Sequence, residues 1–503
     1  MPVVVATPTQ TETEWRPREK DVKTYLHFDR RINAKKLAEI ANNPILVEKN
    51  SFFPLLLYKE NWVRFRASGR GKRKCRPIRY AARKDAAIYA RYRQILSSRY
   101  EDSIAEYGIS DSVIAYRRIP KDNISGNKSN IDFAKDAFDY VKRTGSCVVT
   151  VADISSYFEN LDHAKIREIW EKLLDGPLPK DHEAVFKSIT NYCTASLRSV
   201  QDRIEIFGFP NKEGNRSERR RRRIDVMRND AALQLCTPHD FRRLVCGADP
   251  EHPSLLQKNN RDFGIPQGTP ISDLIANFYL LYFDIAVSNW ARARNGIYFR
   301  YSDDILIAIP ASKLPNSLAA MEYIQEEIAK HGNHLKIKSE KVAVCDFRVE
   351  PEGISFQRAA GKSCANGLEY LGFRFDGRSV HIKDATLANA WRKLKRRSYG
   401  RAKRFVKQFR LKGDAWIVEN YPIEKVETEL LQEVSYSQDI GYERWTFLKY
   451  ISRSREVFSE YQSTFSTQTS RYRKLTRHIA TKHLNKAVSK YGKTAMLKKG
   501  KQP

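Results

Sequence analysis

The feature that most restricts the fold is a pair of adjacent acids between two apolar runs, in the segment FRYSDDILIAI at residues 299–309. Aromatic and β-branched residues cluster on both sides, so 296–310 reads as two strands flanking a short polar turn. Ser302 and Asp303 then sit at or near the bend. A buried carboxylate is costly unless something pairs with it, and two adjacent ones also repel. A third acid, Asp153, ends another buried run, GSCVVTVA at 145–152. If those strands are neighbours, the three carboxylates face one point, and a hard divalent cation relieves their repulsion. Such a set suits two Mg²⁺ ions about 4 Å apart. On spacing alone it serves strand synthesis and strand cleavage equally.

The chain of 503 residues carries 90 Lys+Arg against 59 Asp+Glu, a formal charge of +31. With 41% hydrophobic and 11% aromatic residues it can still build a core. No stretch approaches the roughly 18 apolar residues of a membrane span, and Val3–Ala6 is too short for a secretory segment. Seven scattered cysteines without a CxxC pair fit reduced thiols in a cytoplasmic protein and give no zinc spacing. The positive excess is concentrated: residues 392–412 hold eleven Lys/Arg, and so do residues 471–501. Clustering of that kind points to a polyanion, with nucleic acid the expected partner.

The chain divides into a polar arm over 1–20, a mainly helical stretch over 21–144 and a strand-bearing region over 145–384. Residues 385–503 form a basic, helical end. A long helical connection over about 165–262 interrupts the strand-bearing part, and Arg219 to Arg223 within it cannot be buried together. Leu314–His331 reads as an amphipathic helix, and Leu335–Val344 and Leu368–Phe375 as further strands. The class is α+β with a separate C-terminal unit.

Five blocks carry a resemblance. VADISSYFENLDH (151–163), GIPQGTPISDLIANFYLLYFD (264–284), RYSDDILIAI (300–309), HLKIKSEK (334–341) and LEYLGFRF (368–375) follow one another as the palm motifs of reverse transcriptases do. The resemblance spans about residues 50 to 375. It implies a right-hand polymerase with fingers (21–144), a palm with an antiparallel sheet (145–384) and a helical thumb with a basic extension (385–503).

It also implies roles. Asp153, Asp303 and Asp304 match the metal-binding carboxylates, for two Mg²⁺ ions. Phe158 matches the aromatic gate against a ribose 2′-hydroxyl; the competing role is a simple core ring beside Tyr157. Gln267 and Gly268 match the PQG turn near the incoming nucleotide, and Lys341 the lysine that protonates the leaving pyrophosphate. Lys74, Arg76 and Arg79, in KRKCRPIRYAARKD (72–85), resemble the segment that contacts the triphosphate, where a planar guanidinium suits phosphate oxygens. Arg392, Lys395, Arg396, Arg397, Arg401 and Arg404 would contact backbone phosphates without base specificity. Tyr399, Phe405 and Phe409 between them would either stack on bases or fill the helix core.

The segments FFPLLLY (52–58) and ILSSRYEDSIAEYGISDSVIAYRR (95–118) resemble bacterial defence-associated and abortive-infection reverse transcriptases. The activity so implied is RNA-directed DNA synthesis from dNTPs in antiphage defence, copying a non-coding RNA. An RNA template and DNA product would be partners, with no membrane association and a homo-oligomer conceivable by analogy. The alternatives are template-independent or protein-primed synthesis and a maturase-like RNA-binding protein. Tyr436, Tyr442, Tyr450, Tyr461, Tyr472 and Tyr491 lie in the tail, and the sequence singles out none as a primer.

Overall fold

The computed structural model describes residues 14–66, 69–121, 124–204, 206, 216–227, 232–361, 366–432 and 447–494. Its centre is a five-stranded antiparallel sheet in the order Gly353–Ala360, Ala343–Glu350, Cys147–Asp153, Asp304–Pro310, Ile297–Tyr301. The two middle strands are buried on both faces, because alternate residues enter different cores. Val148, Ala152, Ile305, Ile307 and Ile309 join the core built on the helices Arg83–Glu106 and Leu281–Arg292. Cys147, Val149, Leu306 and Ala308 join Phe138 and Val141 of the helix Asn130–Thr144 on the other face. Covering both faces explains why ILIAI is uninterrupted rather than alternating with polar residues. The helix Asn130–Thr144 starts at a capping box of Ser129 with Asp132. Gly145, at φ +72°, ends it and turns the chain into the central strand.

Several sequence expectations need correction. The stretch expected to be mainly helical contains two twelve-residue strands, Leu55–Arg66 and Gly69–Tyr80, paired antiparallel. The basic strand lacks apolar alternation; its conformation is set by ladder hydrogen bonds to a partner. The connection expected to be helical carries two short strands, Cys193–Ser196 and Leu256–Lys258, which complete that mixed sheet. At three to four residues they leave no periodic signal. The helix expected over Leu314–His331 spans only Ala319–Ala329. The strand expected at Leu335–Val344 lies later, at Ala343–Glu350. Before it the chain touches the sheet's end through an Ile337–Ile154 bridge and makes one turn at Ser339–Lys341. Leu368–Phe375 is two strands, Leu368–Tyr370 and Phe373–Phe375, around a turn with Leu371 and Gly372 at positive φ. The helical connection's polar arm over 210–215, the terminal arm through residue 13, Cys364, Tyr436 and Tyr442 lie outside the described residues.

The C-terminal part is helical, as its pattern requires. Its two long helices, Asp384–Phe409 and Gln462–Tyr491, run parallel. Trp391 meets Tyr472 at the start of the contact, and Ser398 meets His483 further along. The seam on the first helix is Ala390, Leu394, Ser398, Ala402 and Val406, one residue every four, and all are buried. Among the described residues no helix is long and apolar enough to cross a membrane.

Candidate active site at the acidic hairpin

Register places the acids. Asp153, the last residue of its strand, pairs directly with Asp304, the first residue of the adjacent one. Tyr301 pairs with Asp304 on the other side, which leaves Ser302 and Asp303 as a two-residue hairpin loop. Ser302 has φ +60°, a left-handed conformation that costs a non-glycine residue on the order of 1 kcal/mol. Its oxygens are held from below: Arg300 Nη1 donates to the Ser302 carbonyl at 3.2 Å, and Tyr116 Oη donates to Ser302 Oγ at 3.2 Å. The Asp303 carbonyl accepts from the Ile154 N–H at 3.0 Å, which ties the loop to the residue after Asp153.

Burial first, then repulsion from Asp303 and Asp153, pushes the Asp304 carboxyl up to about 7. Asp303 is raised for the same two reasons, with Asp153 as its charged neighbour. Lys341 and Lys383 offset this only in part. Lys341 Nζ is ion-paired with Asp153, and Lys383, immediately before the first long basic helix, bonds Glu369 at 2.7 Å. These donors are all hard oxygens around one hairpin with unneutralised charge, a set that suits divalent cations. The side chains are not drawn into a closed cage, however. Among the described residues no three acidic, His or Cys groups meet a metal-binding arrangement, and Asp153 is turned to Lys341.

A second group of expected residues lies on the chain that leaves Asp153. Phe158 sits half-buried in the turn Tyr157–Asn160, and its carbonyl accepts from the Ile265 N–H at 2.8 Å. The PQG turn therefore packs against the gate segment. Gly268, at φ +118°, lets the same turn approach the basic strand: a Cβ there would stand 2.6 Å from the Arg79 carbonyl oxygen. The Gln267 carbonyl in turn accepts from the Arg79 N–H at 2.8 Å.

Arg79 is placed differently from the other expected phosphate contacts. Its guanidinium is nearly buried and grips Glu159 at 2.6 Å, with Arg261 on the same carboxylate at 3.7 Å. Arg76 is exposed on the same strand. Lys74 lies on that strand too, and its side chain is outside the described residues. On the basic helix, Arg401 is ion-paired with Glu429, and Arg392 is hydrogen-bonded to Asn389. Arg397 faces the half-buried side, and Lys395, Arg396 and Arg404 are exposed. Phe405 and Phe409 pack on Tyr421 and Trp416, which makes them core.

Sequence reasoning missed the floor of the hairpin. Arg300 and Asp284 are both fully buried and doubly bonded, at 2.7 and 2.5 Å. Tyr298 Oη donates to the same carboxylate at 2.6 Å, and Arg300 Nη2 donates to the Asn277 carbonyl at 2.9 Å. The available signal was an arginine inside an apolar strand together with an aspartate inside an apolar helix, since each demands a partner.

No known family profile matches the chain, and no curated protein matches it. Solved structures it resembles include apo telomerase from Candida tropicalis truncated from its C-terminal domain. That match has 10% identity, covers 70% of this chain and 61% of that one, and has a TM-score of 0.36. Telomerase from Candida albicans in complex with a TWJ fragment of telomeric RNA matches at 12% identity over 89% of this chain and 68% of that one, TM-score 0.35. The full apo Candida tropicalis telomerase matches at 10% identity over 94% and 72%, TM-score 0.36. This chain thus spans less than two thirds of the length of the first. At such identity and superposition, what those proteins bind or make does not transfer to it.

Proposed function

We propose that the chain is an RNA-directed DNA polymerase of the reverse-transcriptase type, working in bacterial antiphage defence on a non-coding RNA template. The observation that carries the metal-dependent chemistry is the in-register pairing of Asp153 with Asp304, which sets three carboxylates around one strained hairpin; the polymerase direction, the RNA template and the defence role rest on the resemblance of the sequence motifs. Asp153, Asp303 and Asp304 would hold two Mg²⁺ ions, which when bound lower the pKa of a primer 3′-hydroxyl and neutralise charge on the triphosphate. Holding them requires Lys341 to leave Asp153, and the freed ammonium then stands beside the site as a proton donor. Phe158, fixed by its backbone bond to Ile265, would exclude a ribose 2′-hydroxyl by bulk. Gly268 lets the PQG turn close on the same pocket. Arg79 would reach phosphate only by exchanging Glu159 for it, while Arg76 stands exposed on the same strand. The carboxylates stand on the palm, with the fingers and thumb following the boundaries given above.

The test is purification with any retained nucleic acid, followed by labelled dNTPs or rNTPs with Mg²⁺ and sequencing of product and bound RNA. Deoxynucleotide incorporation that matches the RNA, and falls by at least about 10³-fold in Asp303→Ala, is expected. Simple-repeat DNA would instead favour template-independent synthesis. Bound RNA with no incorporation would overturn the enzyme in favour of an RNA-binding protein.

A further inference from the structure

The solvent side of the seam between the two long helices holds a cluster unrelated to the acidic hairpin. Lys403, Lys407 and Lys490 lie over the ring of Tyr491 at 5.1, 5.5 and 5.7 Å, and Lys486 lies over Tyr399 at 5.7 Å. The lysines recur at four-residue spacing on each helix, a rise of about 6 Å. Because the helices are parallel, the two rows run side by side. Lys395 and Lys482 add to the field, and both act on His483, which burial and these lysines keep below the ordinary imidazole range. Interaction with the Tyr399 hydroxyl first, then the charges of Lys403 and Lys490, holds the Tyr491 hydroxyl below the ordinary tyrosine range.

Charge balance separates this surface from the rest of the same helices. Arg401 has Glu429 and Arg477 has Glu424, but Lys403, Lys407, Lys486 and Lys490 have no acidic partner among the described residues. Asp414 abuts the end of the second helix and spends its carboxylate on the N–H groups of Lys493 and Thr494, at 2.7 and 3.3 Å. Four neighbouring cations without an anion repel, and the ring faces where they rest compensate each only weakly. An external polyanion would neutralise them together.

We propose that this seam binds single-stranded nucleic acid, with Lys403, Lys407, Lys486 and Lys490 moving from ring to phosphate and uncovering Tyr399 and Tyr491 for base stacking. Rows of cations that flank aromatic faces are the composition of a single-strand surface, which reads backbone and ring faces instead of base edges. A duplex offers phosphates but hides its bases, so only a single strand uses both parts. Binding here stands apart from the polymerase reading, because it needs neither metal nor nucleotide.

Fluorescence anisotropy of the full chain tests it, using a labelled 15-nucleotide RNA, the same DNA sequence and the matching duplex over a range of salt. The variant Lys403→Gln/Lys407→Gln/Lys486→Gln/Lys490→Gln should flatten the dependence of log K on log salt by about 3 for single strands. Tyr399→Leu/Tyr491→Leu, which removes two stacking rings, should weaken single-strand binding by about 30-fold or more while leaving that slope and duplex binding alone. A control that neutralises the acid-paired Lys36, Lys165, Lys180 and Lys187 should leave the slope nearly unchanged. An unaltered slope in the first variant would overturn the proposal. So would equal weakening by the control, or a tyrosine variant that binds single strands as wild type does.

Discussion

Asp284, buried beneath the acidic hairpin, and Asp304, half-buried within it, have opposite surroundings. Asp284 lies beneath the strand, fully enclosed, and its oxygens take three hydrogen bonds from Arg300 and Tyr298. Asp304 lies at the strand's start, where its neighbours are two more carboxylates and the nearest lysines bond to other acids. Below the hairpin, charge is buried with full compensation; at its tip, charge is half-buried without it. The compensated pair gives the hairpin a rigid base, and the uncompensated set is where an added cation is most favourable. Asp85 falls between the two. It is enclosed and bonded by Asn50 Nδ2 at 3.0 Å and by the Phe53 N–H at 2.8 Å, yet has no ion-paired cation among the described residues, and burial pushes it up to about 7.

If Asp284 depends on its partner, Arg300→Met should cost about 3–5 kcal/mol in urea unfolding, because it strands a buried carboxylate. Replacing both, as Asp284→Leu/Arg300→Met, should recover much of that loss, since a pair of apolar groups needs no compensation. A double variant no more stable than Arg300→Met would show that the pair's packing, not its charge, supports the hairpin.

Asp85 should show the next largest effect, as a pH dependence. An aspartate in the unfolded chain titrates near 3.9, while the folded carboxyl holds its proton to about 7. The native state therefore binds the extra proton between these values, and stability falls as pH rises from about 4 to 7 and is flat above. Wild type should lose about 3 kcal/mol relative to Asp85→Asn across that window, read by denaturation at pH 4.5, 6 and 7.5. Parallel curves for the two proteins would mean that Asp85 is charge-compensated after all.

The smallest effect has the opposite sign. Asp304→Asn should raise stability by on the order of 1 kcal/mol in a chelator-treated sample, because it removes repulsion between adjacent carboxylates. A loss comparable to that of Arg300→Met would make Asp304 a structural group and erase the contrast with Asp284.

Part of this arrangement was legible in the residues. The turn at Ser302-Asp303 follows from two apolar runs about a polar pair, and the strand ending at Asp153 from its β-branched cluster. Both are local signals: short continuous apolar runs, rich in β-branched residues and bounded by polar ones. The strand Gly69–Tyr80 was not legible, because charged residues fill it and only its partner strand makes it a ladder. The state of Arg79 was hidden for another reason: the glutamate it grips is 80 positions away. Phe405 and Phe409 carried helical spacing consistent with either stacking or core, and Tyr421 and Trp416 decided for core.

By itself the sequence determined that two acids stand at a bend between buried strands, that a third ends another strand, and that a basic helical end follows. Each depends on neighbours within a few residues, where alternation, charge adjacency and β-branching act directly on backbone choice. Tertiary structure alone decided which charges are cancelled: Arg300 by Asp284, Arg79 by Glu159, Asp153 by Lys341 across 188 residues. It also decided that the lysines at 403, 407, 486 and 490 share one surface, through the parallel packing of two helices. Cancellation acts over a few ångströms in space, and residues close along the chain need not be the ones that packing brings together.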